Sequence, residues 1–71
     1  MSPTYYTLLI RDDMHSPWGV HFGDWERATV NDERDDLRGG GLKPSQIKMI
    51  QTTGKQSEIA ELVSYLNSTT A

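Results

Sequence analysis

The sequence predicts an α+β fold, a single small domain with the order β-β-α-β-α, on three observations. Residues 5–10 (Tyr-Tyr-Thr-Leu-Leu-Ile) are apolar on both alternating sides, the pattern of a strand with both sides covered. Residues 25–38 hold neither proline nor glycine and end at Gly39-Gly40-Gly41. Near the end of the chain, Ile59, Leu62, Val63 and Leu66 recur at helical spacing. A chain of 71 residues has room for one core. The domain is therefore read as 1–71, ordered from about 4 to 67, with small polar ends at 1–3 and 68–71 that fray.

Each element has its own justification. In the first strand Tyr6, Leu8 and Ile10 share one side, and Tyr5, Thr7 and Leu9 the other. Residues 11–17 (Arg-Asp-Asp-Met-His-Ser-Pro) are rich in turn formers. The second strand, 18–22, alternates Trp18, Val20 and Phe22 against Gly19 and His21, with the first set facing the core. Asp24 is the expected helix N-cap, its carboxylate accepting from free backbone N–H groups. Trp25, Thr29, Val30, Glu33 and Leu37 recur at roughly helical spacing through the first helix. The triple glycine ends it, because glycine takes the left-handed conformation needed just past a helix. A third strand spans 46–52 with Ile47, Met49 and Ile50. Thr53 and Gln56 form a capping box before a second helix at about 55–67.

A helix between the second and third strands implies a right-handed crossover, so those two strands run parallel. The simplest arrangement is a three-stranded mixed sheet with the first strand central and two helices on one face. If Leu9 and Tyr5 point away from the helices, that second side is apolar and needs cover. That side, or an open sheet edge, calls for a second copy of the chain, so a homo-oligomer is expected.

Composition narrows the function classes. Seven Lys and Arg against ten Asp and Glu leave a formal charge of −3, and there is no cysteine. No apolar run approaches the ~18 residues of a membrane helix, so no membrane partner is expected. No basic start followed by an apolar stretch reads as a signal peptide, and a cytoplasmic location is expected. A net acidic chain is a poor nonspecific ligand for a nucleic-acid polymer, which needs clustered positive charge. The absence of cysteine excludes a disulfide framework and thiolate metal sites.

No catalytic signature is present. Gly39-Gly40-Gly41 lacks the Lys-Ser/Thr of a phosphate loop, and neither a nucleophile elbow nor a His-Glu-x-x-His motif occurs. His15 and His21 lie near Asp12, Asp13 and Asp24, but the intervening loop breaks the register that would put both imidazoles on one face. No metal or cofactor is expected. The stretch from Trp18 to Trp25 gathers both tryptophans and the only phenylalanine, beside His21 and Asp24. Such rings can stack on a flat heteroaromatic ligand while histidine and arginine read its edge and phosphates. Arg11, Arg34, Arg38 and Lys48 are the cations expected to meet a phosphate. The candidate ligand-binding set is thus Trp18, His21, Trp25, Arg11, Arg34, Arg38 and Lys48, set against the plainer reading of core aromatics and solvated charges.

The pattern Trp18-x-x-x-Phe22-Gly23-Asp24-Trp25-Glu26-Arg27-x-x-Val30-x-x-Glu33-Arg34, followed by Ile47-Lys48-Met49-Ile50 and an amphipathic helix, resembles small phage-encoded anti-defence proteins. These include sponges that sequester the cyclic nucleotide signals of the CBASS response. The resemblance covers about residues 5–67. It implies an oligomer that encloses a cyclic nucleotide at a subunit interface without cleaving it, and it assigns no contact residue.

Two other readings compete. An acidic protein-binding inhibitor would use Asp32, Glu33, Asp35 and Asp36, or an open sheet edge, against a host enzyme or defence protein. A small phosphodiesterase would use His21.

Overall fold

The computed structural model describes residues 3–69, with the side chain of Thr69 left out. The elements are β1 (Tyr5–Ile10), β2 (Gly19–Asp24), α1 (Arg27–Gly39), a single 3₁₀ turn at Pro44–Gln46, β3 (Ile47–Thr52) and α2 (Gln56–Thr69). The order β-β-α-β-α is as the sequence predicts. The sheet runs β2-β1-β3, and β1 is antiparallel to both neighbours. Every hydrogen-bonded pair is therefore antiparallel; the "mixed" character lies only in β2 and β3, which share a direction without touching.

Register decides which side chains meet. Tyr5, Thr7 and Leu9 pair with Thr52, Ile50 and Lys48 of β3, and these six share one side of the sheet. Tyr6, Leu8 and Ile10, with Gln51, Met49 and Ile47, share the other. Along β2 the register slips by one residue: Leu8 faces Phe22, but Leu9 faces Val20. His21 is the extra residue of a β-bulge, which turns it onto the Leu8 side beside Phe22. The strict alternation expected for 18–22 fails here. Trp18 is buried, Phe22 lies on the opposite side from Val20, and Val20 is 60% exposed.

The sequence reading puts both helices on one face; the structure puts one on each. On the Leu9 side, α2 delivers Ile59 into a cluster with Leu9, Trp18 and Ile50, flanked by Tyr5, Leu62, Val63 and Leu66. Leu8 points away from that cluster yet is 0% exposed, so something else covers it. The cover is α1, which lies against β1 and β2 and buries Val30 completely. The Cα extents of 35 × 28 × 13 Å agree. Three strands are only ~10 Å across, whereas three layers ~10 Å apart fill the middle dimension. The cause is already present in β1: a strand apolar on both sides needs a layer on each side. The second apolar side of β1 is thus filled within the chain and makes no demand for a second copy.

Local chemistry sets the boundaries. Asp24 ends β2 rather than capping α1; its Oδ1 accepts from the Glu26 N–H at 3.0 Å, an Asx-type turn. Glu26 occupies the N-cap position with no side-chain cap bond, so Trp25 lies outside the helix. At the other end Leu42 N–H donates to the Leu37 carbonyl and Gly41 N–H to that of Arg38, both at 3.1 Å. This is the paired bonding of a Schellman motif, with Gly41 at φ +109° supplying its left-handed residue. Before α2, Thr53 donates twice to the Glu58 carboxylate, from its hydroxyl to Oε2 at 2.6 Å and from its backbone N–H to Oε1 at 3.3 Å, so it engages Glu58 in place of the expected box with Gln56. α2 continues through Ser68 and Thr69, where the sequence reading has a frayed end. The same expectation at Met1, Ser2, Thr70 and Ala71 lies outside the described residues. Among the described residues no helix is long and apolar enough to cross a membrane.

Candidate functional site

The seven expected site residues fall into separate places. Arg11 and Trp18 do meet: the guanidinium carbon sits 4.2 Å from the centre of the indole ring. Trp18 is only 8% exposed, however, and belongs to the α2-side core. Its backbone N–H donates to Asn67 Oδ1 at 2.6 Å, and Asn67 Nδ2 donates back to its carbonyl at 3.3 Å. Arg11 Nε donates to the Ser45 carbonyl at 2.9 Å. Together they clamp the 11–18 connection onto the sheet, and Trp18 offers no open ring face for a base.

His21, set by the bulge, places Nε2 3.0 Å from Glu33 Oε1 on α1. Trp25 is 51% exposed and meets Tyr5 edge-on, with ring centroids 4.9 Å apart. Its six-membered ring lies over Gly54, where φ is +93° and a β-carbon would collide with the indole. Arg34 sits on α1 with Nε 3.9 Å from Asp35 Oδ1, and Arg38 is exposed in the last helical turn, where a cation suits the helix dipole. Lys48 projects from β3 on the α2 side. The sheet itself thus separates Trp18 and Lys48 from His21, Arg34 and Arg38. The structure joins Arg11 to Trp18 and His21 to Glu33, and does not gather the seven around one ligand.

Near the 11–18 connection lies a depression of about 330 Å³, lined in part by Asp12, Asp13, Met14 and Lys43. Several of its polar groups bond to one another. Gln46 Nε2 donates to the Asp12 carbonyl at 2.7 Å while its Oε1 accepts from Lys43 N–H at 2.9 Å. The His15 backbone N–H donates to Asp13 Oδ1 at 2.7 Å, which holds the Asp13 carboxyl below its ordinary value. Among the described residues, no group of three or more His, Asp or Glu is placed to hold a metal ion.

The larger concavity is one the sequence reading misses. Val20 of β2 faces Ile59, Ala60 and Val63 of α2 across an open groove of about 430 Å³, with Gln56 and Asn67 also in its wall. Among the described residues, none that lines it is ionisable. The groove opens beside the outer edge of β2, which has no neighbouring strand among the described residues. Gly19, Val20 and His21 at the start of that strand are all exposed. A signal was present in α2, where Ala60 and Ser64 make one flank of the apolar stripe low. The bulge that leaves Val20 at the rim was not readable from alternation. On the far side of β2, helical periodicity aligns Glu26, Thr29 and Asp36 with Glu33 along the flank of α1 nearest the edge. The edge is therefore bordered by a neutral apolar groove on one side and an acidic row on the other. No protein-family model, curated protein or solved structure matches this chain.

Proposed function

We propose that this chain is a binding protein that engages another protein along β2 and does not turn over a substrate. One observation carries the reading: among the described residues β2 is an edge strand with no outer neighbour, exposed over residues 19–21, and it runs beside an open, mostly apolar groove. An extended segment can add to such an edge through backbone hydrogen bonds while the groove takes alternate side chains. A 60%-exposed valine at the rim of a neutral hollow fits this use better than it fits a phosphate site, which needs cations. The chain would act by occupying its partner, as an inhibitor does.

The test is titration of ¹⁵N-labelled protein with synthetic extended peptides of about ten residues, apolar at alternate positions. Amide shifts concentrated at Gly19–Asp24 and along the Ile59–Val63 flank of α2 support the reading. Shifts elsewhere, or none with any peptide, refute it.

A cyclic-nucleotide sponge is the second reading. Besides the resemblance, the half-exposed ring of Trp25 supports it, since that face can stack on a base. Such a sponge would be a homo-oligomer. Cyclic dinucleotides and trinucleotides added at a hundredfold excess over their dissociation constant should then stabilise the fold by ~2.7 kcal/mol. No thermal shift and no change in tryptophan fluorescence with any of them would end this reading.

A further inference from the structure

We infer that the segment accepted by β2 alternates apolar with basic residues, the apolar ones entering the α2 groove and the basic ones meeting the acidic flank of α1. The inference rests on β2 being a docking edge and adds the chemistry of what docks. A strand added beside β2 continues the sheet, so its successive side chains point alternately to the α2 side and the α1 side. On the α2 side they meet Val20, Ile59, Ala60 and Val63, with the uncharged Gln56, Ser64 and Asn67 beside them, a mostly apolar surface without an ionisable group among the described residues. On the α1 side they meet Glu33, which His21 fixes beside the strand at 3.0 Å. Glu26 and Asp36 extend that flank; both are exposed, and among the described residues neither is paired with a lysine or arginine. Glu26 is oriented by Thr29, whose hydroxyl donates to its Oε2 at 3.4 Å.

Charge also decides between occupants. The chain carries a formal charge of −3, and a second copy docked edge to edge would bring an identical acidic flank against the first. Like charges held close across an interface are unfavourable, whereas lysine or arginine at alternate positions neutralises the row. The occupant is therefore a strand-forming segment of a different protein with an apolar–basic repeat.

The experiment uses the full chain and three synthetic peptides with the same valines at alternate positions, the others being all lysine, all glutamate or all threonine. Affinity is read by fluorescence anisotropy. The lysine peptide should bind at least about tenfold tighter than the glutamate peptide, an advantage that shrinks in ~1 M salt. The double substitution Glu26→Gln with Asp36→Asn should remove most of that advantage and leave the threonine peptide unaffected. Val20→Asp should weaken all three peptides, and circular dichroism checks that each variant remains folded. Equal or tighter binding of the glutamate or threonine peptide overturns the apolar–basic assignment while leaving the docking edge intact. Failure of all three peptides to bind removes the docking edge and this inference with it. Sedimentation showing a dimer that Val20→Asp dissociates would assign the edge to a second copy and overturn the inference.

Discussion

On the α2 side of the sheet, Leu9, Trp18, Ile50 and Ile59 close into one cluster, and among the described residues the groove between Val20 and α2 is lined without an ionisable group. On the α1 side, Leu8 and Val30 are buried equally well, but beside them stand the His21–Glu33 pair, Arg34 and an acidic helix flank. Both sides cover the same six-residue strand. Their difference shows how a short chain can complete its core and still leave one edge with two unlike borders. The opposite edge is formed by β3. β3 puts Lys48 on its α2 side, a charge that discourages pairing, and most of the strand's other residues are buried or half-buried.

The largest test of this comparison is a pair of core truncations. Leu8→Ala and Leu9→Ala remove fully buried side chains from opposite sides of β1. Each should lower stability by ~2–5 kcal/mol in urea denaturation. Were both helices on the Leu9 side, Leu8→Ala would cost well under ~1 kcal/mol, as exposed positions do.

A smaller effect is expected where the two sides are joined. Trp25, just before α1, packs over Gly54, just before α2, and Gly54 adopts φ +93°. Gly54→Ala combines backbone strain with displacement of the indole and should cost ~1–3 kcal/mol. Thermal unfolding measures the loss, and a shift in tryptophan emission reports the moved ring. An unchanged midpoint would mean that the ring does not hold this junction.

The smallest effect concerns pH. The Asp13 carboxyl is held below its ordinary value chiefly by the His15 backbone N–H. A depressed carboxylate contributes stability that is complete above the unfolded value of 3.8 and is lost as pH falls through the lower folded value. Asp13→Ala should therefore be slightly less stable than the parent at neutral pH and equal to it in strong acid. Acid titration by circular dichroism compares the two, and a difference that persists in strong acid would contradict the assignment.

Much of the fold was legible. The two-sided apolar run marks β1, the triple glycine ends α1 near Gly39, and the stripe from Ile59 to Leu66 marks the buried side of α2. What was hidden depends on single residues or on three dimensions. One inserted residue at His21 reverses the facing of Val20, and alternation alone cannot show an insertion. The doubly apolar strand calls for cover on each side, but the sequence alone does not say whether the second layer is the chain's own helix or a neighbour. The candidate site fared worse. Aromatic residues close in sequence (Trp18, Phe22, Trp25) are spread over both sides of the sheet and its end, and only Trp25 keeps half its surface exposed. Arg11 is engaged with Trp18 and Ser45.

Hydrogen exchange on the chain, alone and with the valine–lysine peptide, probes the docking edge most directly. Strand addition should slow exchange at Gly19–Asp24 while Ile47–Thr52 stays unchanged. Slowing confined to Ile47–Thr52 or to α1, with Gly19–Asp24 unaffected, would contradict the assignment of β2 as the edge that binds.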